Sequence, residues 1–90
     1  MSGPLQGLKV IEMAGIGPGP FACMLLADMG ADVIWVESPG GDVLRDYEPM
    51  RSAKMGAFSM SVSRNKRSVV LDLKTEVGRE AIHELLANAD

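Results

Sequence analysis

Ninety residues hold one small domain at most, because domains run to roughly 100–200 residues. A chain that is 47% apolar and 23% charged is globular rather than disordered, and a net charge of −3 argues against wholesale binding to nucleic acid or anionic membrane. One cysteine, Cys23, and one histidine exclude an internal disulfide and a cysteine–histidine zinc site.

The longest uncharged stretch, Met13 to Ala27, is shorter than the ~20 residues a spanning helix needs. Gly15, Gly17, Pro18, Gly19 and Pro20 also break it. Upstream, Lys9 is the sole cation and Glu12 follows it, a poor match to a signal peptide. The expected compartment is the reducing cytoplasm, with no membrane and no nucleic acid as partner.

Leu8 to Ala14 is a short apolar run bounded by glycines and reads as a strand. The turn Gly15 to Pro20 alternates glycine and proline, which forbids regular structure. A helix is expected over Pro20–Met29, with proline in its first turn and Gly30 as its cap. That helix is apolar nearly all round, from Phe21 to Ala27, so it needs cover on several faces. A second strand follows at Ala31–Glu37, continuous in Val33, Ile34, Trp35 and Val36 as in a buried parallel sheet.

Strand, tight turn, helix and strand make a βαβ unit, so the fold class is α/β with a parallel sheet. A third strand is expected at Ser68–Leu73 and a last helix at Glu76–Ala89, with Val77, Ala81, Ile82, Leu85, Leu86 and Ala89 on one face. Between strands two and three lie about thirty residues with little periodicity, Ser38 to Arg67, of the kind that serve as functional loops. Ala53 to Met60 adds a helical turn there. Two helices cannot cover both faces of three parallel strands, so a longer protein is expected, of which this is the N-terminal piece.

Charge is unevenly spread. Residues 1–44 carry −4, residues 45–67 carry +4 and residues 68–90 carry −3. The positive segment holds Arg45, Arg51, Lys54, Arg64, Lys66 and Arg67, which beside the ends of parallel strands would suit a phosphorylated ligand. A dinucleotide fingerprint fails, although Glu37 stands near the place of a ribose-binding acid. Gly15 and Gly17 fit, but Pro20 replaces the third glycine, and Pro18 and Pro20 remove two N–H groups from the turn. His83, beside Glu80, Glu84 and Ala87, reads as a surface residue, and Cys23 as a small core residue. The residues alone give an anion site in an α/β domain, and no reaction.

Three linked blocks say more. P-L-Q-G-L-K-V-I-E-M-A-G-I-G-P-G-P-F-A from Pro4, L-A-D-M-G-A-D-V-I-W-V-E from Leu26, and N-K-R-S-V-V-L-D-L-K from Asn65 together resemble the class III coenzyme A transferases of the CaiB/BaiF type. That family includes formyl-CoA transferase, carnitine CoA-transferase and α-methylacyl-CoA racemase. The resemblance implies that residues 1–90 are the N-terminal part of a Rossmann-like, coenzyme A-binding large domain. It also implies an interlocked homodimer, and a transferase that moves coenzyme A between an acyl-CoA and a carboxylic acid. Coenzyme A is then a substrate, and no cofactor is held tightly.

Carried over by position, Gly17 and Pro18 resemble turn residues that lie against coenzyme A. Leu71, Asp72, Leu73 and Lys74 resemble the segment that receives its nucleotide, Lys74 having the chemistry to meet a phosphate. Ser38 stands where many relatives carry an arginine, with Arg64, Lys66 or Arg67 as candidates to supply the missing charge. No catalytic residue is expected among the ninety. In the transferases an aspartate attacks the acyl-CoA to form an anhydride and then a thioester, and its place falls beyond Asp90. In the racemase, the alternative reading, a histidine and an aspartate exchange the α-proton, and they too fall beyond Asp90. A non-catalytic coenzyme A-binding domain is the other alternative.

Overall fold

The computed structural model describes residues 3–13, 18–40 and 61–90. Three parallel strands form one sheet in the order β1 (Lys9–Glu12), β2 (Asp32–Glu37), β3 (Arg67–Val70). β1 is joined to β2 through helix α1 (Pro18–Asp28), and helix α2 (Glu76–Ala87) follows β3. The expected α/β, βαβ parallel architecture is therefore what the chain adopts. Register runs Val10 against Val33 and Glu12 against Trp35, then Trp35 against Ser68 and Glu37 against Val70.

Alternation across the pleat sends Val10, Val33 and Trp35 toward α1. Ala27, Ala31 and Val33 form one buried cluster with Leu8, Val10, Cys23 and Leu26 against it. Met24, Trp35 and Val62 form a second. The opposite face presents Ile11, Ile34 and Val69, which line a groove of about 580 Å³ with Ala81 and Leu85 of α2. The central strand is accordingly the best buried.

Each element ends for an identifiable reason. Gly30, at φ 106°, closes α1 in a left-handed cap: its N–H bonds to the Ala27 carbonyl and the Ala31 N–H to that of Leu26. α1 starts at Pro18, two residues earlier than the sequence suggests, because a first turn tolerates prolines that lack an N–H. β3 stops at Val70 rather than Leu73, because Asp72 turns the chain into the cap of α2. Thr75 is that cap, its hydroxyl accepting the Gly78 N–H at 3.0 Å. The helical turn expected at Ala53–Met60 lies outside the described residues.

Cover is incomplete around both helices. Phe21 remains 51% exposed on α1 and Val77 77% exposed on α2, so among the described residues neither apolar face is fully matched. No described helix is long and apolar enough to cross a membrane.

Candidate functional site

Parallel strands all end on one side of their sheet, and the chain leaving them forms a crevice there. Here that crevice is a cleft of about 430 Å³. Met13 contributes from the end of β1, Glu37, Ser38 and Pro39 from the end of β2, and the run Leu71 to Lys74 from the end of β3. The structure thus brings Ser38 together with the run Leu71, Asp72, Leu73 and Lys74, which begins 33 positions later in sequence. Gly17 lies outside the described residues, and Pro18 is the first residue of α1.

Glu37 is the buried acid of the cleft wall, 3% exposed, and its carboxylate accepts a hydrogen bond from the Ser68 hydroxyl. Its carbonyl takes the Leu71 N–H at 2.9 Å, which extends the β2–β3 pairing by one bond before the chain diverges. Past that point the backbone is shaped by Asp72, whose carboxylate accepts the Lys74 N–H at 3.0 Å. Lys74 itself is exposed at the mouth of the cleft.

The basic segment is arranged differently from the sequence expectation. Arg64 forms a forked pair with Asp28, its Nη2 2.6 Å from a carboxylate oxygen, and Asn65 donates to the same carboxylate at 2.8 Å. Those bonds hold the Asp28 carboxyl below its ordinary range, Arg64 being the larger cause and Asn65 the next. Arg67 makes a second fork with Asp32, at 2.9 and 2.6 Å. Asp32 and Arg67 open β2 and β3, so this pair sits at the end of the sheet away from the cleft. Lys66 turns inward: its ammonium lies 2.6 Å from Glu12, donates to the Pro20 carbonyl at 3.1 Å and rests 6.0 Å from the Trp35 ring. With side-chain exposures of 1% and 4%, Lys66 and Glu12 form a buried pair. None of the three lines the cleft, and each is paired with an acid of its own. Arg45, Arg51 and Lys54 lie outside the described residues.

Cys23, on the sheet-facing side of α1, is half-buried, and burial first and the Glu12 carboxylate second push its thiol up. A thiol so raised is a poor nucleophile, in keeping with a core role. His83 is exposed beside Glu80, Glu84 and Ala87, as its helical position implied. No group of acids, histidine and cysteine among the described residues could hold a metal ion. Sequence reasoning passed over Arg79, whose guanidinium reaches back to the Leu73 and Lys74 carbonyls at 3.4 and 3.3 Å. A cation four residues past a cap and facing its loop is the pattern that could have found it.

The family model for CoA-transferase family III matches residues 5–90 of the chain. This chain belongs to that family. It is 46% identical over 92 residues to a succinyl-CoA:mesaconate CoA-transferase of Haloarcula hispanica, covering 98% of this chain and 23% of the relative. It is likewise 46% identical over 94 residues to a succinate–glutarate CoA-transferase of Agrobacterium fabrum, covering 97% of this chain and 24% of the relative. A crystal structure of a CaiB/BaiF family protein from Brucella suis superposes with a TM-score of 0.90 at 44% identity, over 100% of this chain and 25% of that one. The chain therefore spans about a quarter of the length of the family members it matches.

Proposed function

We propose that the chain supplies the nucleotide-receiving corner of an enzyme that moves coenzyme A between an acyl-CoA and a carboxylic acid. The observation that carries this reading is the cleft where Ser38 and the Leu71–Lys74 run converge, in a chain of CoA-transferase family III. Leu71, Leu73 and Met13 offer apolar surface for a base, and Lys74 offers a charge for a phosphate. Pro18 and Gly17 belong to the same reading, as the turn that lies against the ligand. Coenzyme A enters as substrate, and the acceptor is a small carboxylic acid, as the mesaconate and glutarate in the relatives' names suggest.

Five acids of the described residues, at the strands and around the cleft, have other work. Glu12 pairs with Lys66, Asp28 with Arg64, Asp32 with Arg67, Glu37 with Ser68, and Asp72 with its own turn. This supports a catalytic aspartate supplied from elsewhere in a larger, Rossmann-like large domain, and the proposed assembly is an interlocked homodimer. The test is to incubate the full-length protein with succinyl-CoA and a panel of small acids, following new thioesters by mass spectrometry. Transfer to at least one acid is the expected result. Absence of both transfer and coenzyme A binding overturns the reading, and α-proton exchange in deuterated water without transfer replaces it with the racemase.

A further inference from the structure

Beyond Leu71 the cleft-lining run pairs with no strand among the described residues, and other contacts fix its shape. The first turn of α2 supplies them. The Thr75 hydroxyl donates to the Asp72 carbonyl at 2.8 Å while accepting from the Gly78 N–H at 3.0 Å, and the Thr75 N–H reaches the same carbonyl at 3.1 Å. Gly78 makes the approach possible, because a Cβ there would stand 2.7 Å from the Asp72 carbonyl carbon. Arg79 then reaches back over the turn, its Nη1 donating to the Leu73 and Lys74 carbonyls. The carbonyls of Asp72, Leu73 and Lys74 are all held by α2 and its cap.

Lys74 gains from this. Among the described residues no carboxylate pairs with its ammonium, so its charge is available to a ligand. A lysine on a fixed backbone loses less freedom on binding than one on a loose loop.

We propose that Arg79 and Thr75 are positioning residues that act through Lys74, holding it where the anionic part of a coenzyme A nucleotide arrives. This rests on the proposed placement of that nucleotide in the cleft, and the experiment separates the two ideas. Coenzyme A is titrated calorimetrically into the full-length protein carrying Lys74→Ala, Arg79→Ala, Thr75→Val, Thr75→Ser, or the double change Lys74→Ala/Arg79→Ala. Asn88→Ala serves as a control, since it loosens the far end of α2, where Asn88 bonds the Glu84 carbonyl.

The expected result is a rise in dissociation constant of about three- to tenfold for Arg79→Ala and for Thr75→Val, the size of one lost hydrogen-bonded constraint. Thr75→Ser keeps the hydroxyl and keeps the affinity, and Asn88→Ala binds as the parent does. The double variant binds no more weakly than Lys74→Ala alone, because residues acting through one group are not additive. Parent-like affinity in Lys74→Ala removes the nucleotide from this cleft and the positioning role with it. A weakened Lys74→Ala with unchanged Arg79→Ala and Thr75→Val leaves the site and overturns the positioning. Additive losses in the double variant, or a loss in Asn88→Ala matching Thr75→Val, also overturn it, since Arg79 then touches the ligand directly or the helix merely loses stability.

Discussion

Lys74 and Ser38 line the same cleft with unequal means. An ammonium that meets a phosphate makes a charge-assisted bond worth about 1.5–3 kcal/mol, so Lys74→Ala in the full-length protein should raise the coenzyme A dissociation constant about ten- to hundredfold. Stability should hardly change, because the side chain is exposed and packs against little. Ser38→Arg is the converse: it places a positive charge at the end of β2, and should tighten binding in calorimetry at low salt. Unchanged affinity in both variants would move the ligand away from these strand ends. Asp28 gives a prediction of another kind. Its carboxyl titrates below the ordinary 3.8 because Arg64 and Asn65 bond its charged form. A depressed acid stabilises the fold at pH values above its unfolded pKa, and that contribution fades as pH falls through the folded pKa. The stability gap between the parent and Asp28→Asn should therefore be full at pH 7 and close progressively below about pH 4. Urea unfolding of the full-length proteins across that range measures it, and a gap that stays constant to pH 2 would contradict the pairing.

Among the elements, the buried Lys66–Glu12 pair helps to set how α1 sits on the sheet. It ties the end of β1 and the first turn of α1 to the segment leading into β3. Removing one partner leaves an uncompensated buried charge, so Lys66→Met should destabilise by about 3–5 kcal/mol. Replacing both, as Glu12→Leu/Lys66→Met, should cost far less or even stabilise, because desolvating two charges offsets most of their attraction. Thermal unfolding of the two variants decides whether the pair is held by charge or by packing; equal losses in both would point to packing. This pair also marks where the sequence stopped being legible. Strand and helix periods and the Gly30 cap were readable because each depends on neighbours in the chain, whereas the start of α1 was read two residues late. Direction of the sheet followed from the same local logic. The partners of Arg64, Lys66 and Arg67 were not readable, because Asp28, Glu12 and Asp32 lie 35 or more positions away. A cluster of cations looks alike in sequence whether it faces a ligand or its own acids. The gathering of Ser38 with Leu71–Lys74 came from the family pattern, and their shared cleft from strand ends that only the fold aligns.

At the scale of the whole molecule, the two faces of the sheet are unequally served. α1 covers Val10, Val33 and Trp35, yet its outer side and the turn after it show Phe21, Leu25 and Met29, four residues apart and all exposed. On the other face the groove of about 580 Å³ separates α2 from Ile11, Ile34 and Val69 instead of closing on them. Among the described residues the outer edge of β1 is met by Asp90, whose N–H bonds the Lys9 carbonyl and whose carboxylate accepts the Lys9 N–H. A domain near this size already buries only about 60% of the surface its unfolded chain exposes, so little stability is in reserve for such gaps. Apolar patches of this kind favour association over a single packed state. The ninety residues expressed alone should therefore bind a hydrophobic dye, elute as a mixture of sizes and lose near-ultraviolet circular dichroism while keeping the far-ultraviolet signal. They should also fail to transfer coenzyme A. Gel filtration, dye binding and calorimetric melting on one preparation test this together. A monodisperse monomer with a sharp cooperative melt would show that the groove and the α1 stripe close without further chain, and would overturn the expectation that these faces are covered from elsewhere.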